Sequence, residues 1–249
     1  MIFIENLQKS FGGQEVLRDV TLRVNTGEFV ALVGMSGSGK SLLLRHVVRL
    51  MRPDSGRVLV DGRDVALMPR QELEALRSRI GYVFQSGALF DSETVFDNVA
   101  FPLREKTRLG ESAIRKKVME ELDQVGLADA EHKFPAQLSG GMLKRVALAR
   151  TLVRAPEIIL FDEPTTGLDP IVVNSILQLF DSVHKRRNLT GILVSHEIPE
   201  IFGIVQKIAM LHEGRIAAVE TPESIQRSAN PVIDQFVNGK TEGPIRYQN

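Results

Sequence analysis

The sequence predicts an α/β fold built on a parallel core sheet. Three short, continuously apolar runs carry this prediction, and each ends at a glycine or a polar residue: FVALVG (29–34), EIILFD (157–162) and TGILVSH (190–196). Strands that are buried on both faces of a parallel sheet have this composition. Stretches with helical character separate the three runs, which favours parallel connections. At 249 residues the chain is long enough to bury a sizeable core.

The elements around these strands follow in order along the chain. The first 30 residues alternate in hydropathy and turn at glycines, which is typical of an antiparallel sheet. Apolar residues at helical spacing predict one helix in SLLLRHVVRLM (41–51) and another over 69–79. The remaining patterns predict a strand and two hairpins: IGYVF (80–84), GRVLVDGRDV (56–65) and KIAMLHEGRIAAVE (207–220).

From about residue 90 to residue 155 the sequence changes to charged helices, and this block is predicted to be a helical insertion. One of its helices, ESAIRKKVMEELDQVG, ends at Gly126, a suitable C-terminal cap. The final segment, NGKTEGPIRYQN (238–249), is predicted to be loosely structured.

Composition excludes several classes of protein. Lys plus Arg and Asp plus Glu each number 31, so the net charge is zero and gives no general reason to expect a nucleic-acid partner. The absence of cysteine excludes disulfides, thiolate metal sites and cysteine nucleophiles, and fits a reducing compartment. No apolar run approaches the ~18–20 residues that span a bilayer, and no secretory signal is visible. We therefore expect a cytoplasmic protein.

A phosphate-binding loop is predicted at GMSGSGKS (34–41), between a buried strand and a helix. Its glycines, Gly34, Gly37 and Gly39, allow the backbone to wrap closely around phosphates at a helix N-terminus. Lys40 is expected to reach the β- and γ-phosphate oxygens, and the Ser41 hydroxyl is placed for Mg²⁺. The sequence therefore predicts a nucleotide site.

Polar side chains follow two other core strands and a neighbouring one. Asp162 and Glu163 end IILFDE, where Asp162 can hold a hydrated Mg²⁺ and Glu163 can polarise water, although two acids there could also cap the next element. His196 lies at another strand end, and Gln85 follows IGYVF with an amide able to touch Mg²⁺ or orient water. Each of these four residues, taken alone, is compatible with a purely structural role. The presence of a phosphate loop in the same chain favours a role in nucleotide binding or hydrolysis.

A second candidate anion site is LSGGM (138–142), where Ser139, Gly140 and Gly141 precede a helix start with exposed amides. The helix that follows carries an apolar stripe at Leu143, Val146, Ala149 and Leu152 or Val153. Its basic residues are predicted to form a charged, solvated face: Lys144, Arg145 and Arg150.

These motifs, taken in order with Phe11 and TGLDP, resemble the nucleotide-binding subunit of ABC transporters over nearly the whole chain. The resemblance implies a P-loop ABC ATPase fold with a RecA-like parallel core sheet, an antiparallel β subdomain and a helical subdomain. It places the core and β subdomain at 1–89 and 156–230, the helical subdomain at 90–155 and a C-terminal tail at 231–249. It also implies Mg²⁺ and a head-to-tail homodimer that encloses two ATP molecules.

The same resemblance assigns roles to individual residues. Phe11 would stack on adenine, although core packing is an alternative for an aromatic residue. Ser139, Gly140 and Gly141 would face the γ-phosphate held by the partner subunit, and Asp169 would join that interface. Gln85 would contact the metal and the attacking water, Glu163 would be the catalytic base, and His196 would contact the γ-phosphate. The predicted nucleotide-loop residues are Gly34, Ser36, Gly37, Ser38, Gly39, Lys40, Ser41 and Leu42.

One branch of the family fits the sequence in more detail. Met142 replaces the usual glutamine of the signature, and FQSGALFDSETVFDNVAFPLRE (84–105) and FVNGKTEGPI resemble the ATPase of MCE/Mla-type lipid transporters. This resemblance implies phospholipid transport, a permease that docks near Gln85–Phe90, an MCE-domain lipid-binding protein and a peripheral location on the cytoplasmic face of the inner membrane. Apolar loop residues Ala88, Leu89 and Phe90 suit such a docking surface, although they could also anchor the loop into the core.

Three other functions stay open at this stage. An importer ATPase for amino acids or another small solute would share every motif above. A non-transport ABC ATPase acting on nucleic acid or ribosomes usually carries two nucleotide domains or long coiled-coil inserts, and neither is present. A small-molecule P-loop kinase would not need LSGGM or TGLDP.

Overall fold

The computed structural model describes residues 1–196 and 198–245. A six-stranded sheet forms the centre of this part of the chain, in the order β10-β9-β3-β8-β7-β6. Its five strands from β9 to β6 run parallel, and β10 pairs antiparallel with β9 at one edge. Its strands are β3 (Phe29–Val33), β6 (Ile80–Val83), β7 (Ile158–Asp162), β8 (Thr190–Val194), β9 (Lys207–His212) and β10 (Arg215–Glu220). The predicted parallel core is confirmed.

A second, antiparallel sheet has the strand order β2-β1-β4-β5. Its strands are β1 (Ile2–Phe11), β2 (Gln14–Val24), β4 (Ser55–Val60) and β5 (Arg63–Asp64). The antiparallel sheet predicted for the first 30 residues is therefore confirmed, as are the hairpins at β4–β5 and β9–β10.

The central sheet is buried on both faces because successive side chains of a strand point to opposite sides. On β3, Phe29, Ala31 and Val33 join the core cluster that includes helices of the 95–187 region. The intervening Val30 and Leu32 join a second cluster, shared with the antiparallel sheet and the helices before residue 80. The continuous apolar composition of these strands follows from this two-sided burial.

Eight α-helices are present in the described residues: α1 (Lys40–Val47), α2 (Arg70–Ser78), α3 (Val95–Lys106), α4 (Glu111–Gln124), α5 (Gly140–Leu152), α6 (Pro170–Arg187), α7 (Pro222–Gln226) and α8 (Pro231–Val237). Helix α1 stops at Val47, four residues before the predicted helical spacing ends, because Arg49 adopts a left-handed conformation with φ of 51°. Gly126 has φ of 71° just after α4, as its predicted role as a helix cap requires.

Helices α3, α4 and α5 occupy the block predicted to be helical. Most of their buried apolar residues belong to the same hydrophobic cluster as one face of the central sheet, so the core is continuous across this block. The division into 1–89 with 156–230, 90–155 and 231–249 stays a prediction.

The segment predicted to be loosely structured has no helix or strand from residue 238 to Ile245, and its residues 238–244 are exposed, but it is anchored at Ile245. The Ile245 side chain is buried, and both of its backbone polar groups bond to the buried side chain of Gln235 on α8. The buried side-chain amide of Gln235 thus has both of its polar atoms hydrogen-bonded, and these two bonds attach the segment to α8. Residues 246–249 lie outside the described part of the chain.

Within residues 1–196 and 198–245, no helix combines the length and the apolar character needed to cross a lipid bilayer.

Candidate active site

The loop between β3 and α1 is shaped by glycines that a larger residue could not replace. A Cβ atom on Gly34 would lie 2.2 Å from the backbone oxygen of Leu211, and Gly34 has φ of 147°. Gly39 directly precedes α1 with φ of 102°, and a Cβ there would meet the Leu17 side chain at 2.8 Å. The predicted phosphate loop therefore has the compact backbone that its glycines indicate.

Within this loop, Lys40 and Ser38 carry polar atoms that suit an anion. The buried Lys40 ammonium donates to the backbone oxygens of Gly34 and Met35, each at 2.9 Å, and its burial lowers its pKa against the opposing effect of Glu163 and Asp162. The Ser38 hydroxyl is buried with no hydrogen-bond partner among the described residues. A phosphate oxygen would satisfy both groups, so the loop fits the nucleotide that the sequence predicts.

A carboxylate and a hydroxyl meet directly behind the loop. Ser41 Oγ donates to Asp162 Oδ1 at 2.5 Å, and the Tyr82 hydroxyl donates to Asp162 Oδ2 at 2.9 Å. Asp162 ends β7 and is only 7% exposed. No group of three or more His, Asp or Glu side chains in the described residues could hold a metal, but Mg²⁺ is commonly held by few protein oxygens together with water and phosphates. The Ser41–Asp162 pair fits that chemistry.

Tyr82 is a member of this cluster that sequence reasoning missed. Burial and the neighbouring Asp162 raise the pKa of its phenol, which keeps the hydroxyl a donor at neutral pH. In the sequence, only the position of Tyr82 on the predicted strand 80–84 points towards the site. The pairing of β6 with β7, which brings Tyr82 beside Asp162, is seen in the structure.

Glu163 lies between two other candidate catalytic groups. Its Oε1 is 3.8 Å from Lys40 Nζ, and its Oε2 is 3.9 Å from His196 Nδ1. Glu163 adopts φ of 48°, an uncommon conformation for a residue other than glycine and one that clusters at functional sites. Its backbone amide bonds to the Val194 oxygen at 3.1 Å, which fixes it against the end of β8.

A cavity of about 390 Å³ lies over the loop and receives Phe11 at the end of β1. Phe11 is 47% exposed, so it is not a core residue, and Lys9 Nζ lies 5.4 Å from its ring centroid. Arg45 and Met51 also line this cavity and were not predicted. The lining residues are Phe11, Val16, Gly37, Gly39, Lys40, Ser41, Leu42, Arg45, Met51 and Glu163.

Among the described residues, no hydrogen bond joins the Gln85 side chain to this cluster. It follows β6 with an exposed side chain, and its backbone oxygen accepts a hydrogen bond from Lys144. Its predicted contact with the metal therefore stays a prediction.

The second predicted anion site lies elsewhere in the fold. Ser139 caps α5 by accepting from the Met142 amide at 3.3 Å, and Ser139 and Gly140 are exposed. None of residues 139–141 lines the 390 Å³ cavity. Within one chain, the phosphate loop and the start of α5 are thus separate surfaces.

The two glycines at this helix start are also needed for packing. A Cβ on Gly140 would lie 2.9 Å from Leu168 Cδ2, and one on Gly141 would lie 2.7 Å from Val172 Cγ1. Because both residues lack a side chain, α5 can lie close against the segment that begins α6. Asp169 occupies the N-cap position of α6 and is exposed, next to Ile171 at 85% exposure.

The prediction of a solvated basic face on α5 is wrong. Lys144 is buried and donates to the Gln85 oxygen, and Arg150 donates to the oxygens of Gly87 and Ala88 at 2.7 and 2.6 Å. Arg145 likewise donates to the Val125 oxygen at 2.7 Å. The cause is that the irregular segments beside α5 cannot pair their carbonyl groups with a strand or helix, and these cations supply the donors instead.

A larger cavity, about 610 Å³, lies at the opposite edge of the central sheet, where β7 and β8 begin. Its charged lining is already paired: the N-terminal ammonium lies 2.7 Å from Asp61, and Arg79 lies 2.6 Å from Glu157. Because these charges neutralise one another, this cavity lacks the features of a nucleotide site.

The parallel sheet, the phosphate loop and the acids at the strand ends define a P-loop nucleotide-binding protein. Residues 17–166 match the family model described as ABC transporter, so the chain belongs to the ABC transporter family of ATP-binding proteins and is an ATPase subunit.

Two similar proteins support this placement. The chain is 39% identical to the intermembrane phospholipid transport system ATP-binding protein MlaF of Haemophilus influenzae, over 100% of this chain and 94% of that protein. It is 42% identical to the probable ribonucleotide transport ATP-binding protein mkl of Mycobacterium leprae, over 98% of this chain and 70% of that protein.

Solved structures agree with the fold. The dimeric post-hydrolysis state of the ATP-binding cassette MJ0796 bound to ADP and Pi has a TM-score of 0.81 and 33% identity, and the match covers 90% of this chain and all of that one. CbiO1 of Clostridium perfringens, part of the transporter complex cbiONQ, has a TM-score of 0.83 and 31% identity over 96% of this chain and 95% of that one. Both similarities support the α/β ABC ATPase fold.

Proposed function

We propose that this chain is the ATPase subunit that powers phospholipid movement in an MCE/Mla-type system, together with a membrane permease and an MCE-domain lipid-binding protein. The match to MlaF along the full chain, together with Met142 and the FQSGALF stretch, supports this proposal. The relative named for ribonucleotide transport favours a small-solute system as the second candidate. Nucleic acid is not part of the proposed complex.

The observation that carries the ATPase assignment is the meeting of Lys40, Glu163 and His196 at the carboxyl ends of β3, β7 and β8. Lys40 and the loop amides would hold the β- and γ-phosphates of ATP, and Phe11 would stack on the base. The remaining members of the loop, Ser36 and Ser38, would offer hydroxyls to the phosphates, and Leu42 lines the cavity.

Ser41 and Asp162 would hold Mg²⁺, with Gln85 reaching it from the loop after β6. When bound, Mg²⁺ neutralises the charge that develops on the phosphate oxygens. Glu163 would accept a proton from the attacking water as the water oxygen bonds to the γ-phosphorus and the bond to the ADP oxygen breaks. His196 would donate to the γ-phosphate, and its approach to Glu163 keeps the two groups on the same side of that phosphate.

Two chains would complete each other's sites. The exposed start of α5 and the exposed Asp169 and Ile171 lie outside the chain's own nucleotide cavity, so they are free to meet a partner. Ser139, Gly140 and Gly141 would then offer amides to the γ-phosphate of the opposite ATP, and Asp169 would join the same interface. ATP would hold the homodimer closed and hydrolysis would remove the charge that holds it, which drives a cycle.

The permease would dock beside the loop Gln85–Phe90. Phe90 and Phe101 are 42% and 44% exposed, and their rings pack edge-on at 4.9 Å. Both rings line a cavity of about 230 Å³. Exposed aromatic pairs of this kind are typical of interfaces. This docking would place the chain peripherally on the cytoplasmic face of the inner membrane.

The experiment that tests this function is purification of the native membrane complex under mild conditions, followed by mass spectrometry of its proteins and bound small molecules. Phospholipid together with an MCE-domain protein is the expected result. A solute-binding protein with a bound ribonucleotide or amino acid would refute phospholipid transport and support the second candidate, a small-solute transport system. Co-purification with ribosomes or nucleic acid and no permease would overturn both.

A further inference from the structure

The phenol of Tyr82 contacts the carboxylate of Asp162 on the side away from Ser41. We propose that Tyr82 is a positioning residue for the metal that accompanies ATP, because it fixes the orientation of the Asp162 carboxylate. This inference rests on the proposed role of Asp162 as a metal-holding group.

The carboxylate of Asp162 is held at both of its oxygens, by donors from different elements. Ser41 on α1 donates to Oδ1 and Tyr82 on β6 donates to Oδ2. The Ser41 hydroxyl can bind an ion through its oxygen and still donate its proton to Asp162. Tyr82 then fixes the second oxygen, and the two bonds together prevent rotation of the carboxylate plane. Such supporting bonds typically change metal affinity 10- to 100-fold when they are removed.

The sheet register explains why the phenol reaches this carboxylate. Strands β6 and β7 are parallel, and Tyr82 lies opposite Leu160. Asp162 follows Leu160 by two residues, so its side chain leaves the same face of the sheet about 7 Å further along. A tyrosine side chain is long enough to cover that distance, whereas most other side chains at position 82 would fall short of the carboxylate.

Tyr82 also lies close to a positive charge at the nucleotide site. Arg45, one helical turn after Ser41 on α1, lines the nucleotide cavity. Burial and Asp162 raise the pKa of the Tyr82 phenol, and the nearby charge of Arg45 partly opposes that rise. The Tyr82–Asp162 pair therefore lies beside the nucleotide cavity.

The test is Tyr82→Phe, which keeps the ring and removes the hydroxyl. Mn²⁺ binding to the full chain with a non-hydrolysable ATP analogue is measured by electron paramagnetic resonance, and analogue binding is measured separately in EDTA. We expect the Mn²⁺ dissociation constant to rise about 10-fold or more. Analogue affinity in EDTA should stay within about twofold, because Tyr82 is absent from the cavity lining.

Three further variants keep the outcomes distinct. Phe84→Leu alters the ring that packs 4.3 Å from Tyr82 without removing a hydrogen bond, so Mn²⁺ affinity should not change. Asp162→Asn tests the proposed metal role itself: unchanged Mn²⁺ binding there would refute that role, independently of Tyr82. If Tyr82→Phe does not fold, Tyr82→Met serves in its place, because it also removes the hydroxyl that donates to Asp162 while keeping an apolar side chain, and the same rise in the Mn²⁺ dissociation constant is expected.

Weaker Mn²⁺ binding in Asp162→Asn with unchanged binding in folded Tyr82→Phe would show that Tyr82 only fills space. Unchanged binding in Tyr82→Met, where that variant has to serve as the test, would overturn the proposal in the same way.

Discussion

Arg150 is expected to hold the loop after β6 in place, and its replacement by methionine tests this. Its guanidinium donates to the backbone oxygens of Gly87 and Ala88. Ala88 has φ of 48°, a left-handed conformation that is strained for a residue with a side chain and that contacts from outside the loop must maintain. Methionine keeps much of the length and apolar volume of arginine and removes both donors.

The size of the effect follows from the burial of each acceptor. A hydrogen bond from a charged donor contributes about 1.5–3 kcal/mol, and water replaces it at low cost where the acceptor is exposed. Ala88 is exposed, so its oxygen can bond to water, whereas Gly87 is buried. We therefore expect Arg150→Met to lower the free energy of unfolding by about 1.5–3 kcal/mol, or one charged hydrogen bond.

Urea unfolding measures this loss, and hydrogen exchange of the amides of residues 85–90 measures the local effect. Lys117→Met on α4 is the control, because Lys117 is exposed and its replacement should cost less than about 0.5 kcal/mol. A loss in Arg150→Met no larger than in the control, with unchanged exchange across residues 85–90, would refute the role assigned to Arg150.

The remaining predictions concern catalysis, the shared site and pH. Glu163→Gln should lower ATP turnover about 10²- to 10⁴-fold while ATP binding persists, and near-normal turnover would refute the base. Ser139→Arg should lower turnover about 10²- to 10³-fold without weakening ATP capture by Lys40, and retained turnover would contradict the shared site. Burial lowers the pKa of His46, so the folded state favours its neutral form. The stability this gives is present above the unfolded pKa of about 6.5 and is lost as pH falls below it, by up to about 1.4 kcal/mol per pH unit in urea titrations. His46→Gln should flatten that slope and the exposed His132→Gln should not; equal slopes in all three proteins would contradict the assignment.

The parts of the site that the sequence predicted are those with local signals. GMSGSGKS places its glycines and Lys40 next to one another in the chain, and strand ends place Asp162, Glu163 and His196 at one edge of the sheet. The carboxyl ends of parallel strands meet at one edge of a sheet, and this rule predicts that the three strand-end residues lie close to the phosphate loop. The individual roles of these residues stay predictions until the variants above are measured.

The parts that could not be predicted depend on contacts between distant segments. The donation from Tyr82 to Asp162 requires the β6–β7 register, which no local pattern contains. The three basic residues of α5 looked like a solvated face because periodicity reports only where apolar side chains lie. Their acceptors are carbonyl groups of the loops around residues 85–88 and 125, and backbone acceptors have no sequence signature. Ile245 was likewise missed because its partner is a single side chain, Gln235.

The claim that two chains share each nucleotide site is tested most directly by cross-linking, since the chain contains no cysteine of its own. Ser36→Cys and Ser139→Cys are introduced together with Glu163→Gln, and the native membrane complex is treated with a short bis-maleimide with and without ATP. We predict an ATP-dependent covalent dimer of twice the 27.7 kDa chain on a denaturing gel. A cross-link that forms only within one chain, or a dimer whose yield does not depend on ATP, would contradict the shared site.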